Sequence, residues 1–252
     1  VKADFQRILS RKKQQNFSLI KIMNDLLISI VLPVYNQDDH ISDVLERYIE
    51  ALEVISHPYE MIVVVNGSAD NSLSKCRSLE QVHKSLRVLD SLDKGWGLSV
   101  RKGLAEAKGD LLCYTNSART HPEELVKLIK YGINNQDSVI LANRKNRQSS
   151  LRQIGSILYN LESRYFFNLY TWDINGTPKI FPKNFEKLLK LTRDDDLIDL
   201  EFNIICHSEG YPILEVPTFT SERSGGESTT NFLTAYRMYS RVFKLWLEQK
   251  KK

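Results

Sequence analysis

The stretch LLISIVLPVY at residues 26–35 is an apolar run rich in β-branched residues. Four more runs of this kind follow it: YEMIVVVN (59–66), SLRVLD (85–90), DLLCYT (110–115) and DSVILAN (137–143). Longer stretches with helical periodicity alternate with them, near 39–55, 70–83, 97–108, 121–134 and 150–168. This regular alternation predicts an α/β fold in which helices cover a mostly parallel central sheet.

The composition is that of an ordinary globular chain. Of the 252 residues, 42% are hydrophobic and 26% charged, enough to bury a sizeable core. The formal net charge of +4 is small and no nucleic-acid motif accompanies it, so nucleic acid is not a predicted partner. Cys76, Cys113 and Cys206 are widely separated and lack zinc-site spacing, which indicates a reducing setting. Because no bilayer-length apolar run or signal-peptide core is present, we expect a cytoplasmic protein.

The two ends of the chain differ from this pattern. Near the C-terminus one apolar stripe recurs at steps of four and three residues, formed by Phe232, Tyr236, Tyr239, Phe243 and Trp246. This pattern has two interpretations: a helix docked on the protein's own core, or a basic aromatic helix lying on an anionic membrane surface. The basic N-terminal segment 1–25 has the same two interpretations, so peripheral contact with the inner face of a membrane stays open.

Polar loops follow the predicted strands. They are PVYN (33–36), NGSADNS (66–72), DKGWGLSVRKG (93–103) and TNSARTHP (115–122). Because open α/β sheets bind ligands at the carboxyl ends of their strands, these loops predict the site. Neither G-x-x-x-x-G-K-[ST] nor a G-x-G-x-x-G after the first strand is present, so two familiar phosphate loops are excluded.

The order of these motifs resembles family-2 glycosyltransferases of the GT-A fold, especially polyprenyl-phosphate sugar transferases. SIVLPVYN resembles the family's Pro-x-Tyr-Asn turn, VVNGSAD its D-D-G-S-x-D motif, GWGLSVRKG its Gly-rich stretch and TNSARTHP its D-x-D followed by His-Pro. Later segments match too: ANR (142–144), DINGTPKIF (173–181), DLEF and GYPILEVP (199–217), and RSGGESTT (223–230). The resemblance covers roughly residues 26–230.

The resemblance implies a single nucleotide-diphospho-sugar-binding domain of GT-A type over residues 26–230. A basic lead-in (1–25) precedes it and a basic amphipathic helix (231–252) follows it. The implied nucleotide-sugar-binding residues are Pro33, Tyr35, Asn66, Ser68, Lys94, Gly95, Arg101, Asn116, Ser117 and Arg119. Tyr35 and Trp96 are candidates to line the nucleotide pocket, and the Asn66 amide can hydrogen-bond a nucleobase.

The chain departs from the family pattern at the metal site. Family members hold a divalent cation, Mg²⁺ or Mn²⁺, with the D-x-D carboxylates, but these positions are Asn116 and Ala118 here. The metal ligands are therefore unknown, and no cofactor is firmly predicted. Glycosyl transfer develops negative charge on the leaving diphosphate, so something positive must lie there. Arg119, with Lys94, Arg101 and Arg144 on neighbouring loops, can supply fixed cations in place of the ion.

The resemblance also points to catalytic and acceptor residues. A carboxylate is the usual general base in an inverting displacement, and we predict Asp199 and Glu201 as catalytic, with Asp173 as the alternative. Asp199 and Glu201 would share one face of a strand but would diverge on a helix. The residues predicted to bind the acceptor or a phosphate are Arg144, Gly176, Thr177, Lys179 and Arg223.

Two functions follow from these residues. The first is an inverting, hexosyltransferase-like enzyme that moves a sugar from a UDP- or GDP-linked donor to a polyprenyl phosphate or another cell-envelope glycan precursor. The alternative is a catalytically silent domain of the same fold that binds a nucleotide sugar or a protein partner. The absent D-x-D favours the alternative, whereas the retained acidic and basic residues favour the enzyme.

Overall fold

The structure is a computed structural model that describes residues 26–145, 150–219 and 232–250. Its helices and strands alternate along the first two thirds of the chain. In order they are β1 (Ile28–Val34), α1 (Ile41–Leu52), β2 (Tyr59–Asn66), α2 (Ser72–Val82), β3 (Leu86–Ser91), α3 (Trp96–Glu106), β4 (Leu111–Tyr114), α4 (Pro122–Asn134), β5 (Val139–Arg144), α5 (Ser150–Phe167), β6 (Lys179–Pro182), a 3₁₀ helix (Glu186–Lys190), α6 (Ile198–Ser208), β7 (Ile213–Thr218) and α7 (Phe232–Lys250).

The strands form one seven-stranded sheet in the order β3-β2-β1-β4-β6-β5-β7. β1 pairs in parallel with β2 and β4, and β2 pairs in parallel with β3. β6 is inserted between β4 and β5 and is antiparallel to both, whereas β7 is parallel to β5. The carboxyl ends of β1, β2, β3 and β4 therefore meet at one edge, where the predicted ligand loops lie.

Helices cover both faces of this sheet. On one face, Ile30 and Leu32 of β1 pack in a buried cluster with Leu45 of α1 and Leu125 of α4. On the other face, Val31 belongs to a cluster that includes residues of α3 and α6. All seven residues of β1 are buried, as expected for a strand with helices on both sides. The predicted α/β class with a mostly parallel sheet is confirmed.

A third apolar cluster joins α5, α6 and α7. Val242 and Leu245 of α7 are buried there with Tyr159 of α5 and Leu200 of α6. The ring of Trp246 lies 5.0 Å, centre to centre, from that of Phe166. One side of the C-terminal helix is therefore docked on the protein's own core. The side chains of Phe232 and Tyr236, which the stripe also included, lie outside the described residues.

Candidate active site

The loops after β1, β2 and β3 are tied together by hydrogen bonds. The Asn36 backbone N–H donates to Ser68 Oγ (3.1 Å), and Asn36 Oδ1 accepts from the Ala69 N–H (2.9 Å). The Gly67 N–H donates to the Ser91 carbonyl at the end of β3 (2.6 Å). Asn66, at the end of β2, is 5% exposed. Four predicted nucleotide-binding residues, Pro33, Tyr35, Asn66 and Ser68, thus lie on one connected edge.

Lys94 places a positive charge at this edge. Its Nζ donates to the Tyr35 hydroxyl (3.0 Å) and lies 5.0 Å from the centre of the Tyr35 ring. Both side chains are exposed, Tyr35 to 39%. The next residue, Gly95, is the N-cap of α3. An anionic ligand bound at this edge would meet the Lys94 ammonium.

The loop after β4 is a compact turn. Asn116 Oδ1 accepts from the Ala118 N–H (3.0 Å), and the Asn116 carbonyl accepts from the N–H groups of Arg119 and Thr120. Ser117 is buried and its Oγ donates to Gln37 Oε1 (2.9 Å). Asn116 and Arg119 remain half-buried at the surface of the turn. The loop therefore gets its shape from hydrogen bonds within the turn and to Gln37.

The residues of this loop do not fit a divalent cation. Asn116 offers a neutral amide whose oxygen already accepts a backbone hydrogen bond, and Ala118 offers a buried methyl group. The described residues contain no group of three or more His, Cys, Asp or Glu side chains that could hold a metal. Because hard divalent cations need several oxygen ligands, the D-x-D metal site of the family is not formed here.

A buried carboxylate joins the loop elements to α6. Asp199, in the first turn of α6, is 5% exposed. Its Oδ1 accepts from the Tyr114 hydroxyl (2.9 Å) and lies 3.4 Å from Lys179 Nζ, and its Oδ2 accepts from Trp96 Nε1 (3.1 Å). Burial, together with the charge of Asp199, raises the pKa of Tyr114 well above its usual range, so the hydroxyl stays a donor.

Lys179 is fully buried beneath this carboxylate. Its Nζ donates to the carbonyl oxygens of Ile174 (2.7 Å) and Gly176 (2.8 Å) in the turn before β6. Burial lowers the pKa of the Lys179 ammonium, and the charges of Asp199 and Asp173 oppose this shift only in part. The predicted acceptor-binding lysine is therefore an internal cation that fixes the turn and Asp199.

Arg144 lies at the end of β5 and forms a bidentate ion pair. Its Nε and Nη2 donate to Asp173 Oδ2 (2.7 Å) and Oδ1 (2.8 Å). Burial lowers the pKa of the Arg144 guanidinium, but the charge and hydrogen bonds of Asp173 together with the charge of Asp199 outweigh this effect, so the net shift is upward. Burial raises the pKa of Glu215, which accepts a hydrogen bond from the backbone N–H of Trp172 (2.9 Å). Asp173, which is 3% exposed, is therefore the ion-pair partner of Arg144.

Gly176 allows this turn to lie directly on β5. A Cβ at residue 176 would lie 1.9 Å from the carbonyl oxygen of Ala142, so only glycine fits. Thr177, the next predicted acceptor residue, is half-buried in the same turn. Arg223, the last residue of the predicted acceptor set, lies outside the described residues.

Glu201 does not share a face with Asp199. The strand interpretation of this segment is wrong, because IDLEF begins the helix α6 and residues two apart on a helix diverge by roughly 200°. Glu201 accepts hydrogen bonds from the N–H groups of Thr192 (3.0 Å) and Arg193 (2.9 Å). It shapes the segment that precedes α6.

Arg101 also turns towards that segment. Its Nη1 donates to the Thr192 carbonyl (3.2 Å) and forms an ion pair with Asp194. It is therefore engaged away from Lys94, although both lie on the same stretch of sequence. Among the predicted fixed cations, Lys94 and Arg119 remain on the loops of the ligand edge.

Two aromatic residues acquire roles that the sequence did not indicate. Trp96 is predicted to line the nucleotide pocket, but in the structure its indole N–H donates to Asp199. The sequence does not indicate a role for Tyr114, because this residue is part of the apolar strand DLLCYT. A polar-tipped aromatic residue at the buried end of a strand, directly before the ligand loop, is the signal that could have identified it.

The order of the strands in the sheet and the helices on both of its faces define an α/β fold of GT-A type. The chain belongs to the family described as glycosyl transferase family 2, whose model matches residues 29–192. The resemblance noted in the sequence motifs is thereby confirmed.

Similar proteins carry related names. Over 206 residues the chain is 33% identical to an undecaprenyl-phosphate 4-deoxy-4-formamido-L-arabinose transferase of Aeromonas hydrophila, covering 80% of this chain and 62% of that protein. A transferase of the same name from Pseudomonas fluorescens is 25% identical over 204 residues, covering 80% and 59%. The chain thus spans about three fifths of the length of these curated relatives.

A solved structure has the same fold. It is glucosyl-3-phosphoglycerate synthase from Mycobacterium tuberculosis in complex with Mn²⁺, UDP and glucosyl-3-phosphoglycerate. Its TM-score is 0.66 at 17% identity, over 86% of this chain and 77% of that chain. At this identity the comparison establishes the fold alone.

Proposed function

We propose that this chain forms the catalytic domain of an inverting glycosyltransferase that moves a sugar from a nucleoside diphosphate to a polyprenyl phosphate. The observation that carries the proposal is the connected ligand edge, where Asn36, Ser68 and Gly67 join three loops next to the Lys94 ammonium. Membership in glycosyl transferase family 2 and the names of the curated relatives support the donor and acceptor classes.

The donor's diphosphate would lie at this edge. Lys94 is exposed and lies beside Tyr35, so it can approach a phosphate oxygen without breaking a buried contact. Arg119 lies on the neighbouring loop after β4 and is half-buried. Guanidinium and ammonium groups form strong charge-assisted hydrogen bonds with phosphate, and they stabilise the charge that develops on the leaving group.

A phosphate acceptor simplifies the chemistry that the site must perform. A phosphomonoester is mostly a dianion at neutral pH, because its second pKa is about 6. One of its oxygens attacks the anomeric carbon, and the bond from that carbon to the diphosphate oxygen breaks. The leaving nucleoside diphosphate takes the electron pair, so no proton has to be removed from the nucleophile.

A polyprenyl acceptor also implies contact with a membrane surface, and α5 and α7 carry a fitting surface. On α5, Ile157, Leu158, Leu161 and Tyr165 are each at least half-exposed and fall on one side of the helix. Phe243 of α7 is 45% exposed. Among the described helices, none has the length and apolarity required to span a bilayer. We therefore propose a peripheral contact, in which this apolar surface rests in the interface.

Nucleotide binding and sugar transfer test the proposal separately. Calorimetric titration with UDP and with GDP should show binding of one of them, and Lys94→Ala should weaken it about tenfold, as for one charge-assisted hydrogen bond. Lys127→Ala is a matched control, because Lys127 lies on α4 and donates to the Pro217 carbonyl of β7.

Transfer is measured with radiolabelled nucleotide sugars and undecaprenyl phosphate in detergent. A labelled lipid product supports the enzyme. Binding of nucleotide without transfer from any donor would favour the catalytically silent alternative. Absence of nucleotide binding would contradict both.

A further inference from the structure

We propose that Asp199 is a positioning residue that holds two ligand loops in place through Trp96 and Tyr114. It then does not act as the base that deprotonates the acceptor. The inference deepens the proposed function and rests on it for the identity of the ligand. The juxtaposition that carries it is one buried carboxylate receiving donors from the ends of α3, β4 and β6.

The first loop is held through Trp96. This residue begins α3 directly after Lys94 and Gly95, and its indole N–H donates to Asp199 Oδ2 (3.1 Å). The same turn of α3 packs on the segment before α6, because the Leu98 N–H donates to the Asp194 carbonyl (3.0 Å). Gly97 permits this approach, since a Cβ there would lie 2.3 Å from the Arg193 carbonyl oxygen. The start of α3 is thus fixed to the start of α6.

The second loop is held through Tyr114. This residue ends β4, and the turn that contains Asn116 and Arg119 begins immediately after it. The Tyr114 hydroxyl donates to Asp199 Oδ1 (2.9 Å) and is completely buried. A shift of the carboxylate would therefore move the end of β4 together with the start of α3.

Lys179 and Asn203 hold Asp199 in place. Lys179 Nζ lies 3.4 Å from Asp199 Oδ1 and is anchored on two carbonyl oxygens of the turn before β6. Asn203 Nδ2 donates to the Asp199 carbonyl (2.7 Å) and to that of Ile174 (3.1 Å). Because the three donors to the carboxylate lie on α3, β4 and β6, its orientation is fixed by three different elements, as expected for a group that orients others.

These contacts make Asp199 unsuited to remove a proton from the acceptor. A general base must lie within hydrogen-bond reach of the proton that it abstracts. Both Asp199 oxygens already accept protein donors, and the residue is 5% exposed. A phosphate acceptor does not require a base, so the two assignments agree.

The first test compares binding with turnover. Asp199→Asn and Trp96→Phe should each weaken UDP binding about tenfold and raise the donor KM equally, while kcat at saturating donor changes less than about threefold. The double variant should have the same UDP affinity as whichever single variant binds UDP less tightly, because both changes remove the same link. GDP replaces UDP if the parent protein binds only GDP.

Tyr114→Phe should also weaken UDP binding. Its matched control is Tyr239→Phe, which removes a hydroxyl that donates to the Gly155 carbonyl (2.6 Å) between α7 and α5. The control loses a similar hydrogen bond that does not involve the loops of the ligand edge, and its UDP affinity should equal that of the parent protein.

A spectroscopic measurement tests the contact between Asp199 and Trp96 without measuring turnover. The chain has three tryptophans, so a ¹⁵N–¹H spectrum contains three indole signals, and the Trp96 signal is identified by its loss in Trp96→Phe. Asp199→Asn should shift that signal and leave those of Trp172 and Trp246 in place. UDP should shift it in the parent protein.

Two results would overturn the inference. One is an Asp199→Asn variant that binds UDP normally but loses more than about a hundredfold in kcat, which is the result for a general base. The other is a Trp96 indole signal that does not respond to Asp199→Asn. If the parent protein binds neither nucleotide, the proposed function fails, and the indole measurement alone decides whether Asp199 holds Trp96.

Discussion

Asn116 and Ala118 determine whether the proposed donor site can bind a diphosphate through a metal ion or only through fixed cations. A neutral amide and a methyl group offer a divalent ion little, whereas fixed cations can bind a diphosphate directly. The Asn116 oxygen is moreover used inside its own turn, on the Ala118 N–H (3.0 Å). We therefore propose that this edge binds the diphosphate of the donor without a resident metal.

The first prediction concerns metal dependence. Titration calorimetry of the bound nucleotide in EDTA and in millimolar MnCl₂ should give dissociation constants within about threefold of each other, because no carboxylate pair holds the ion. Lys94→Ala should weaken binding in both buffers, and Mn²⁺ should not restore it. Loss of binding in EDTA would mean that other carboxylates, Asp93 among them, hold a cation.

The sequence indicated which loop residues lie at the ligand edge, but it did not indicate the hydrogen bonds that hold these loops in place. Asn66, Lys94 and Asn116 could be placed on the ligand edge because each lies at or shortly after the carboxyl end of a predicted strand. The links of Trp96 and Tyr114 to Asp199 could not be predicted, since they cross 103 and 85 positions of the chain. Only the packing of α6 on the sheet brings these side chains together.

At the scale of elements, α6 shows how tertiary structure overrides a local pattern. The residues IDLEF alternate in a way that fits a strand as well as a helix. In the structure Leu200 packs with α5 and α7, whereas Ile198 and Phe202 pack on the sheet, and a helix satisfies both contacts. The five strands predicted in the alternating region appear as β1 to β5, and the later segment PILEVP forms most of β7, but the sequence did not indicate that the four-residue β6 pairs antiparallel between β4 and β5.

The buried ammonium of Lys179 holds the turn before β6, and the second prediction follows from this contact. Lys179→Met should lower the free energy of unfolding by about 3–5 kcal/mol, because Asp199 and two buried carbonyl oxygens lose their donor. Urea denaturation followed by circular dichroism measures this change. Lys183→Met is the control, since Lys183 is exposed and makes only long contacts with two carbonyl oxygens (3.4–3.5 Å).

A change of less than about 1 kcal/mol for Lys179→Met would show that the buried ammonium is dispensable. In that case the methionine would fill the same space without leaving costly unpaired groups.

At the scale of the whole molecule, the ligand edge and the apolar surface of α5 and α7 are joined by the segment that contains Trp172 and Asp173. Trp172 is 63% exposed and its ring lies 4.2 Å from the Arg164 guanidinium of α5. Asp173 binds Arg144 at the end of β5. This continuity favours an acceptor whose lipid part stays at the α5 surface while its phosphate approaches the sheet.

The third prediction tests that surface. Leu161→Glu should reduce cosedimentation with vesicles of phosphatidylcholine and phosphatidylglycerol several-fold, because a carboxylate would enter the interface and face anionic lipid. Val82→Glu, at the end of α2, is the matched control, since Val82 is 73% exposed and the charge change is the same. Equal vesicle binding by both variants and the parent protein would contradict the proposed peripheral contact.

The position of β5 has a consequence for synthesis of the protein. Both neighbours of β5 in the sheet, β6 and β7, come later in the chain than β5 itself. A ribosome that has released Arg144 has therefore produced an apolar strand with no partner, and about 35 residues more must emerge before Lys179 begins β6. At typical elongation rates of about 5–20 residues per second this interval lasts roughly 2–7 s. During that time the nascent VILANR segment is the part of the sheet most exposed to chaperone capture or to wrong pairing.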